Sequence, residues 1–349
     1  MPVYRPFGNN LIRREDLLST RASARGISSM DLVDFQDVDV NKPLTIEIRH
    51  VYTGANPAGI QLPFFRQDML VTTAVKSLSS FNEAPRAVNF LVPDVEPFHN
   101  LMNPSATEIG TPLIYYSPAL IQENSIIDIE ITFSRFDDEL VQGIGKAFAS
   151  SAGIPIFAPY SSYLVAAGTI TGLAGRIGER LIDGRPTFSE TIEISFTRAG
   201  TGIPQKGFHI ITGDEFDPRT ESCTFDVKKG QLLRSDNGKL YDGIHPYVVI
   251  SLDGTEVEGY KAFAPTAAST AILQKFFNLG ENQQQSLDEL IEALTLYNDV
   301  KYAKQAQILK EQIASTEGEE KEYLMARYNA LLKNIVNTRF ATRVNGEED

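Results

Sequence analysis

The side chains able to do chemistry are few. His209 sits in the run Gly207-Phe208-His209-Ile210-Ile211-Thr212-Gly213-Asp214-Glu215-Phe216-Asp217. A histidine on a strand with acids in the following turn is one way to gather ligands for a cation. His209, Asp214 and Asp217 are therefore the candidate ligands of a metal-assisted hydrolase, although their spacing matches no established metal signature. His50 shares its parity with Ile46 and Ile48 in a strand pattern and is expected to be a core or edge histidine. His99 lies in a proline-rich joint and His245 precedes Pro246, so both read as loop or turn residues. Cys223 opens Cys-Thr-Phe-Asp-Val, where a small buried hydrophobe is the expectation. A single cysteine excludes an internal disulfide and any multi-cysteine zinc site.

Nucleophilic catalysis needs a nucleophile, a base and an orienting group. The sequence carries no G-x-S-x-G elbow. Gly143-Ile144-Gly145-Lys146 begins like a phosphate loop, but Ala147 follows where that loop needs a hydroxyl for Mg²⁺. Asp137-Asp138-Glu139 follows a strong strand pattern and precedes Gly143-Ile144-Gly145. That stretch resembles, in outline only, the acidic loops with which C2 domains gather calcium. The spaced aspartates of such loops are not reproduced, so no ligand set is carried over. Asp31, Asp34, Asp37 and Asp39 form a further acidic run, read as surface residues. No catalytic residue and no cofactor emerges, and the balance leans away from an enzyme.

The chain that must position these groups has 349 residues, of which 42% are hydrophobic and 22% charged, with 25 Gly and 18 Pro. That is ordinary globular composition and excludes wholesale disorder. The net charge of −13 argues against a nucleic-acid binder, which needs clustered Lys and Arg. Residues 1–30 invert the balance, with five arginines against Glu15 and Asp16. Residues 1–40 are expected to form a basic N-terminal arm. No apolar run there suits a signal sequence, and one thiol suits a reducing compartment, so a cytoplasmic location is expected.

Residues 41–282 read as a β-rich body. Leu44 to Arg49, Ser125 to Phe133 and Thr191 to Phe196 alternate apolar with polar residues at period two. Further strands are expected at 68–77, 86–92, 112–117, 207–212, 222–228 and 246–252. Asn237-Gly238 and Asp253-Gly254 are expected to close tight hairpins. Alternation implies sheets with one wet face, the antiparallel habit. The fold class is mainly β with α: an antiparallel β-sandwich-like body, one or two sandwiches, with an inserted Gly/Ala-rich helix and a C-terminal helical hairpin.

That hairpin occupies 283–349. Residues 282–285 read as a linker, and Ser286 with Glu289 reads as a capping box. Tyr302, Ala306, Leu309 and Ile313 continue a helical stripe. Thr316 with Glu319 is expected to cap a second helix, with Leu324, Tyr328, Leu331 and Ile335 on one face. Such a stripe must pack on the body or on another subunit.

One segment departs from the rest. Residues 147–175 contain no charge, where the chain average would place about six. Residues 161–182 read as a helix carrying Gly168, Gly172 and Gly175, with the G-x-x-x-G spacing that lets helices touch closely. Ser, Thr and Gly make it too polar for a constitutive membrane span. Three readings of function follow. The first is a non-enzymatic structural or adaptor protein acting through protein–protein contacts or self-association, with Gly168, Gly172, Gly175, Leu324, Tyr328, Leu331 and Ile335 as contact residues. The second is a membrane-active, pore-forming-like effector using residues 147–182. The third is the metal-assisted hydrolase.

Overall fold

The computed structural model describes residues 2–7, 10–19, 34–56, 67–77, 86–102, 109–110, 112–121, 124–134, 187–196, 205–257, 260 and 284–345. The charge-free segment 147–175, the helix expected at 161–182 and the acidic run 137–139 lie outside the described residues.

The body is a β-sandwich. Its first sheet is built from β1 (Val3–Phe7), β2 (Asn10–Arg13), β3 (Leu44–Tyr52), β6 (Asn100–Met102), β8 (Leu113–Ser117), β11 (Gly207–Thr212) and β14 (Tyr247–Asp253). The order is β2-β1-β11-β14-β3-β6, with β8 also paired to β3. The second sheet is β10-β9-β4-β5-β7, where β4 is Gln67–Ser77, β5 Arg86–Val95, β7 Ile109–Gly110, β9 Asn124–Ser134 and β10 Phe188–Ser195. The described ladders are antiparallel, as the alternation implies. Ile127, Ile129 and Ile131 of β9 and Ile192 and Ile194 of β10 face inward. They meet Ile46 and Ile48 of β3 and Val248, Ile250 and Leu252 of β14 in one core. Burying aliphatic side chains of this size is worth about 1.5–3 kcal/mol each, and this layer dominates the stability of the body.

The expectation of one wet face fails for the middle of the first sheet. Every residue of β11 is buried, as is nearly all of β14. A second layer covers them: residues 213–246, including the hairpin of β12 (Cys223–Asp226) and β13 (Gln231–Arg234). It contributes Phe216, Phe225, Leu232 and Tyr241 to an outer core with Tyr4, Tyr52, Phe208 and Tyr247. The run Tyr247-Val248-Val249-Ile250 is apolar on both parities for this reason.

Local expectations were corrected in several places. Residues 3–13, within the expected basic arm, are paired as β1 and β2, with β1 on the edge of β11. Asn237-Gly238 does reverse the chain, with Leu233 bridging Leu240, but only Gly238 takes a positive φ, so the type I′ turn is not formed. Asp253-Gly254 closes no hairpin. The Gly254 N–H donates to the Gln36 carbonyl, and the Asp253 carboxylate accepts the Gln36 N–H, which straps residues 34–37 to the sheet.

The C-terminal region is helical, with α2 at Gln284–Ala314, α3 at Glu319–Asn334 and α4 at Thr338–Asn345. (The earlier helix, α1, is Arg14–Ser19.) α2 begins before Ser286, so the expected linker at 284–285 and the Ser286 cap are both inside the helix. Thr316 is no cap either. Its hydroxyl donates back to the Gln312 carbonyl at 2.7 Å, and Gly318 precedes α3 without a side-chain cap. The helix α4 goes beyond the expected pair. It is fixed by Asp299, a buried carboxylate that accepts the N–H groups of Val336 at 2.9 Å and Asn337 at 2.8 Å. Asn337 then caps α4 by accepting the Arg339 N–H.

Asp299, an acid just before the stripe of Tyr302 and Ala306, therefore forms a polar clamp. Asp299→Ala is expected to cost about 1–3 kcal/mol in urea unfolding, because it leaves both amides without a partner. Amide exchange at Val336 and Asn337 should rise with it. Unchanged exchange would mean that the clamp does not hold α4.

Candidate functional site

The most distinctive surface of the described residues is a corner where three loops meet at one end of β3. Gly54 sits at its centre with φ +57. A Cβ at Gly54 would overlap the Ile244 carbonyl oxygen and lie 2.7 Å from the Pro246 nitrogen. Only glycine lets these loops approach so closely. The Gly54 carbonyl accepts the Phe98 N–H at 2.6 Å, and the Ala55 N–H donates to the Ile244 carbonyl at 2.9 Å. Thr53 and His99 exchange two further bonds, Thr53 N–H to the His99 carbonyl and His99 N–H to the Thr53 hydroxyl.

This pinning holds Phe98 at φ +63, a left-handed conformation that costs a bulky residue roughly 1–2 kcal/mol. The ring is not buried in compensation. Phe98 is 46% exposed, Met102 46% and Ile244 61%. Two large apolar side chains, Phe98 and Ile244, thus stand in solvent at one rigid corner, with Met102 exposed farther along β6.

A buried polar chain supports the corner from within. The Leu232 N–H donates to the Tyr247 hydroxyl at 3.3 Å. That hydroxyl donates to His50 Nδ1 at 3.0 Å, and His50 Nε2 donates to Asn100 Oδ1 at 3.1 Å. Asn100 Nδ2 then donates to the Phe98 carbonyl at 3.1 Å. His50 is buried among the tyrosines of the outer core, its ring edge-on to Tyr247. Its parity with Ile46 and Ile48 pointed to the opposite face. A β-bulge between Val249 and Ile250 skips Arg49 and turns His50 outward. Beside it, the Tyr52 hydroxyl donates to the Gly243 carbonyl at 2.8 Å. The Tyr241 hydroxyl donates to Glu221, which also faces His245 at 3.4 Å.

The other candidates are placed as follows. His209 is fully buried in β11, and its Nε2 donates to the Gln205 carbonyl at 2.9 Å. Asp214 lies in the turn after β11, and Asp217 is used locally, accepting the Arg219 N–H. Among the described residues no group of three or more His, Cys, Asp or Glu side chains is placed to hold a metal ion. Of the acidic run before β3, Asp37 pairs with Lys206 at 3.1 Å and Asp39 accepts the Val40 N–H. Leu331 is buried in the tail core with Ala306 and Leu309, and Leu324 and Tyr328 pack against it. Ile335 ends α3. Gly168, Gly172 and Gly175 lie outside the described residues. Among the described residues no helix is long and apolar enough to cross a membrane. Sequence reasoning missed Phe98, Met102 and Ile244 altogether. The one local signal is Pro97, which marks a turn but not its hand.

No protein family matches the sequence, and no curated protein is significantly similar to it.

Cys223 is buried, and burial followed by the nearby Glu221 charge pushes its thiol up to about 12. A thiol so placed is no nucleophile at neutral pH. It should resist Ellman's reagent at pH 8 in the native protein and react fully in denaturant. Fast native reaction would contradict the placement.

Burial lowers His50 to about 4, against a smaller raising effect of the Asn100 bond. The unfolded chain therefore takes up the proton first as pH falls. Stability is lost between pH 6.5 and about 4, by roughly 3 kcal/mol when complete. Glu190, an inward-facing acid on β10, works in the other sense. Burial, then the Asp214 charge, raise it to about 7, so its contribution falls as pH rises from 4.5 to about 7. The difference between wild type and His50→Gln isolates the histidine. On going from pH 7 to pH 4.5 the urea midpoint should fall in wild type relative to its change in the variant, where Glu190 acts without the opposing histidine. Equal changes would assign the acid sensitivity elsewhere.

Proposed function

We propose that this is a non-enzymatic structural or adaptor protein that works through protein–protein contacts, including self-association. The observation that carries the reading is the corner where Phe98 and Ile244 stand exposed around Gly54. Strain of this kind persists only where the surrounding structure over-determines it, and it gathers at functional sites. Exposed aromatic and aliphatic anchors on a rigid frame are what dominate binding energy at protein interfaces. A preformed corner also loses little entropy when a partner covers it.

The metal-assisted hydrolase needs a ligand cluster that the described residues do not form. The membrane reading rests on residues 147–182, outside the described residues. Neither gains a supporting feature.

Light scattering over a wide concentration range tests the proposal. The expected result is a mass above that of one chain, lowered in Phe98→Asn combined with Ile244→Ser. Asparagine tolerates positive φ, so the variant should fold at least as stably as wild type. A strict monomer at every concentration would remove the support for self-association.

A further inference from the structure

We infer that the corner around Gly54 receives the turn at Val336 of a second copy of this chain, so that copies join head to tail. The inference rests on the proposed function, since it names the partner of the corner and the second surface that meets it.

The exposed apolar side chains of the described residues differ in the charges beside them. Within three residues, Phe98 has Glu96 and Ile244 has Asp242, with no Lys or Arg. Val336, 57% exposed, has Lys333 and Arg339 and no acid. All four charged residues are exposed. Asp242 keeps 71% of its side chain open although Arg234 lies 2.5 Å away. Lys333 Nζ donates to the Asn41 carbonyl at 3.3 Å and pairs with no described carboxylate. Asp37, of the body segment before Asn41, pairs with Lys42 and Lys206. Apolar anchors are thus flanked by acids on the corner and by cations on the tail. Two corners brought face to face would oppose acid to acid, whereas corner and tail are complementary.

Both surfaces are fixed before they meet. At the corner, the Gly54 carbonyl accepts the Phe98 N–H and the Ile244 carbonyl accepts the Ala55 N–H. At the tail, the buried Asp299 carboxylate accepts the N–H groups of Val336 and Asn337. Preformed surfaces lose little conformational entropy on association.

One chain cannot close this contact on itself. The tail meets its own body at the start of β3, where Lys333 reaches Asn41 and the Asn334 amide donates to the Ala119 carbonyl at 2.6 Å. Gly54 follows the other end of β3. The nine residues of that strand set the two ends about 30 Å apart. The contact therefore joins different copies. Its two halves differ, so repetition gives a row or a ring rather than a closed two-fold pair.

Complementation between two defective proteins tests this. One carries Phe98→Asn with Ile244→Ser and keeps its tail. The other carries Val336→Ser with Arg339→Glu and keeps its corner. The Val336 amide that Asp299 accepts is unaltered, and an acid in the first turn of α4 suits the helix dipole. In light scattering each alone should stay at single-chain mass at concentrations where wild type associates. Their equimolar mixture should reach twice that mass and go no higher, because one live contact remains. Arg339→Glu alone should weaken association about tenfold, which guards against a misfolded double variant. A mixture that stays at single-chain mass overturns the inference. Oligomers indifferent to both tail variants overturn it too, but leave the proposed function standing. A wild-type protein that is monomeric throughout overturns it together with self-association.

Discussion

The corner at Phe98 depends on an imidazole that must stay uncharged. His50 lies buried beneath it with one nitrogen accepting from Tyr247 and the other donating to Asn100. A protonated ring would donate at both nitrogens, and Tyr247 would have to surrender either its bond to His50 or the Leu232 N–H that it accepts. Neutrality is thus a structural requirement, and burial supplies it. Asn100, held by His50, in turn holds the Phe98 carbonyl in the left-handed turn. A conformation costing roughly 1–2 kcal/mol at the surface is maintained by an exposed bond whose donor, Asn100, is positioned by the buried chain behind it.

The chain reaches across layers. Leu232 belongs to the cap over the first sheet, Tyr247 to a central strand, His50 to its neighbour and Asn100 to the edge. The cap is therefore more than a cover. Without it β11 and β14 would expose the apolar outer face of Phe208, Ile210 and Val249, and Tyr247 would lose its donor. Gly54, fixed between Ile244 and Phe98, locks the cap loop at 242–246 to the loop before β6. The corner inherits its rigidity from both.

The sequence was legible where local pattern and tertiary environment agree. The alternation of Ile127, Ile129 and Ile131 announces β9 because one face of β9 meets the core and the other does not. Val3–Phe7 carries Arg5 and Pro6 and shows no such pattern, yet it pairs because β11 offers it an open edge. His50 is buried, as a core histidine should be, but among the outer tyrosines rather than beside Ile46 and Ile48, because a bulge leaves no trace in period-two counting. Thr316 and Glu319 fit a capping box by spacing alone, while the hydroxyl finds the nearer Gln312 carbonyl. Phe98 carried no signal, since its backbone is set by Gly54, distant in sequence. The capping layer at 213–246 was equally hidden, because its strands are short and its contribution is a scatter of aromatic side chains.

How this protein can associate is narrowed by how its strand edges are guarded. Exposed edges invite strand addition. Among the described strands, the edges β6, β7 and β2 are three, two and four residues long, too short to template a ladder. The long edge strand β10 is blunted in two ways. Glu190 points an acid inward from it, and the Arg14 guanidinium, carried on α1, donates to the Glu193 backbone carbonyl on its free side. A partner adding a strand there would have to displace a charged side chain from a carbonyl it already satisfies. Association through side chains at a loop corner, or through a preformed helical unit, meets no such penalty. The described surface therefore favours contacts made by anchors and helices over contacts made by backbone ladders.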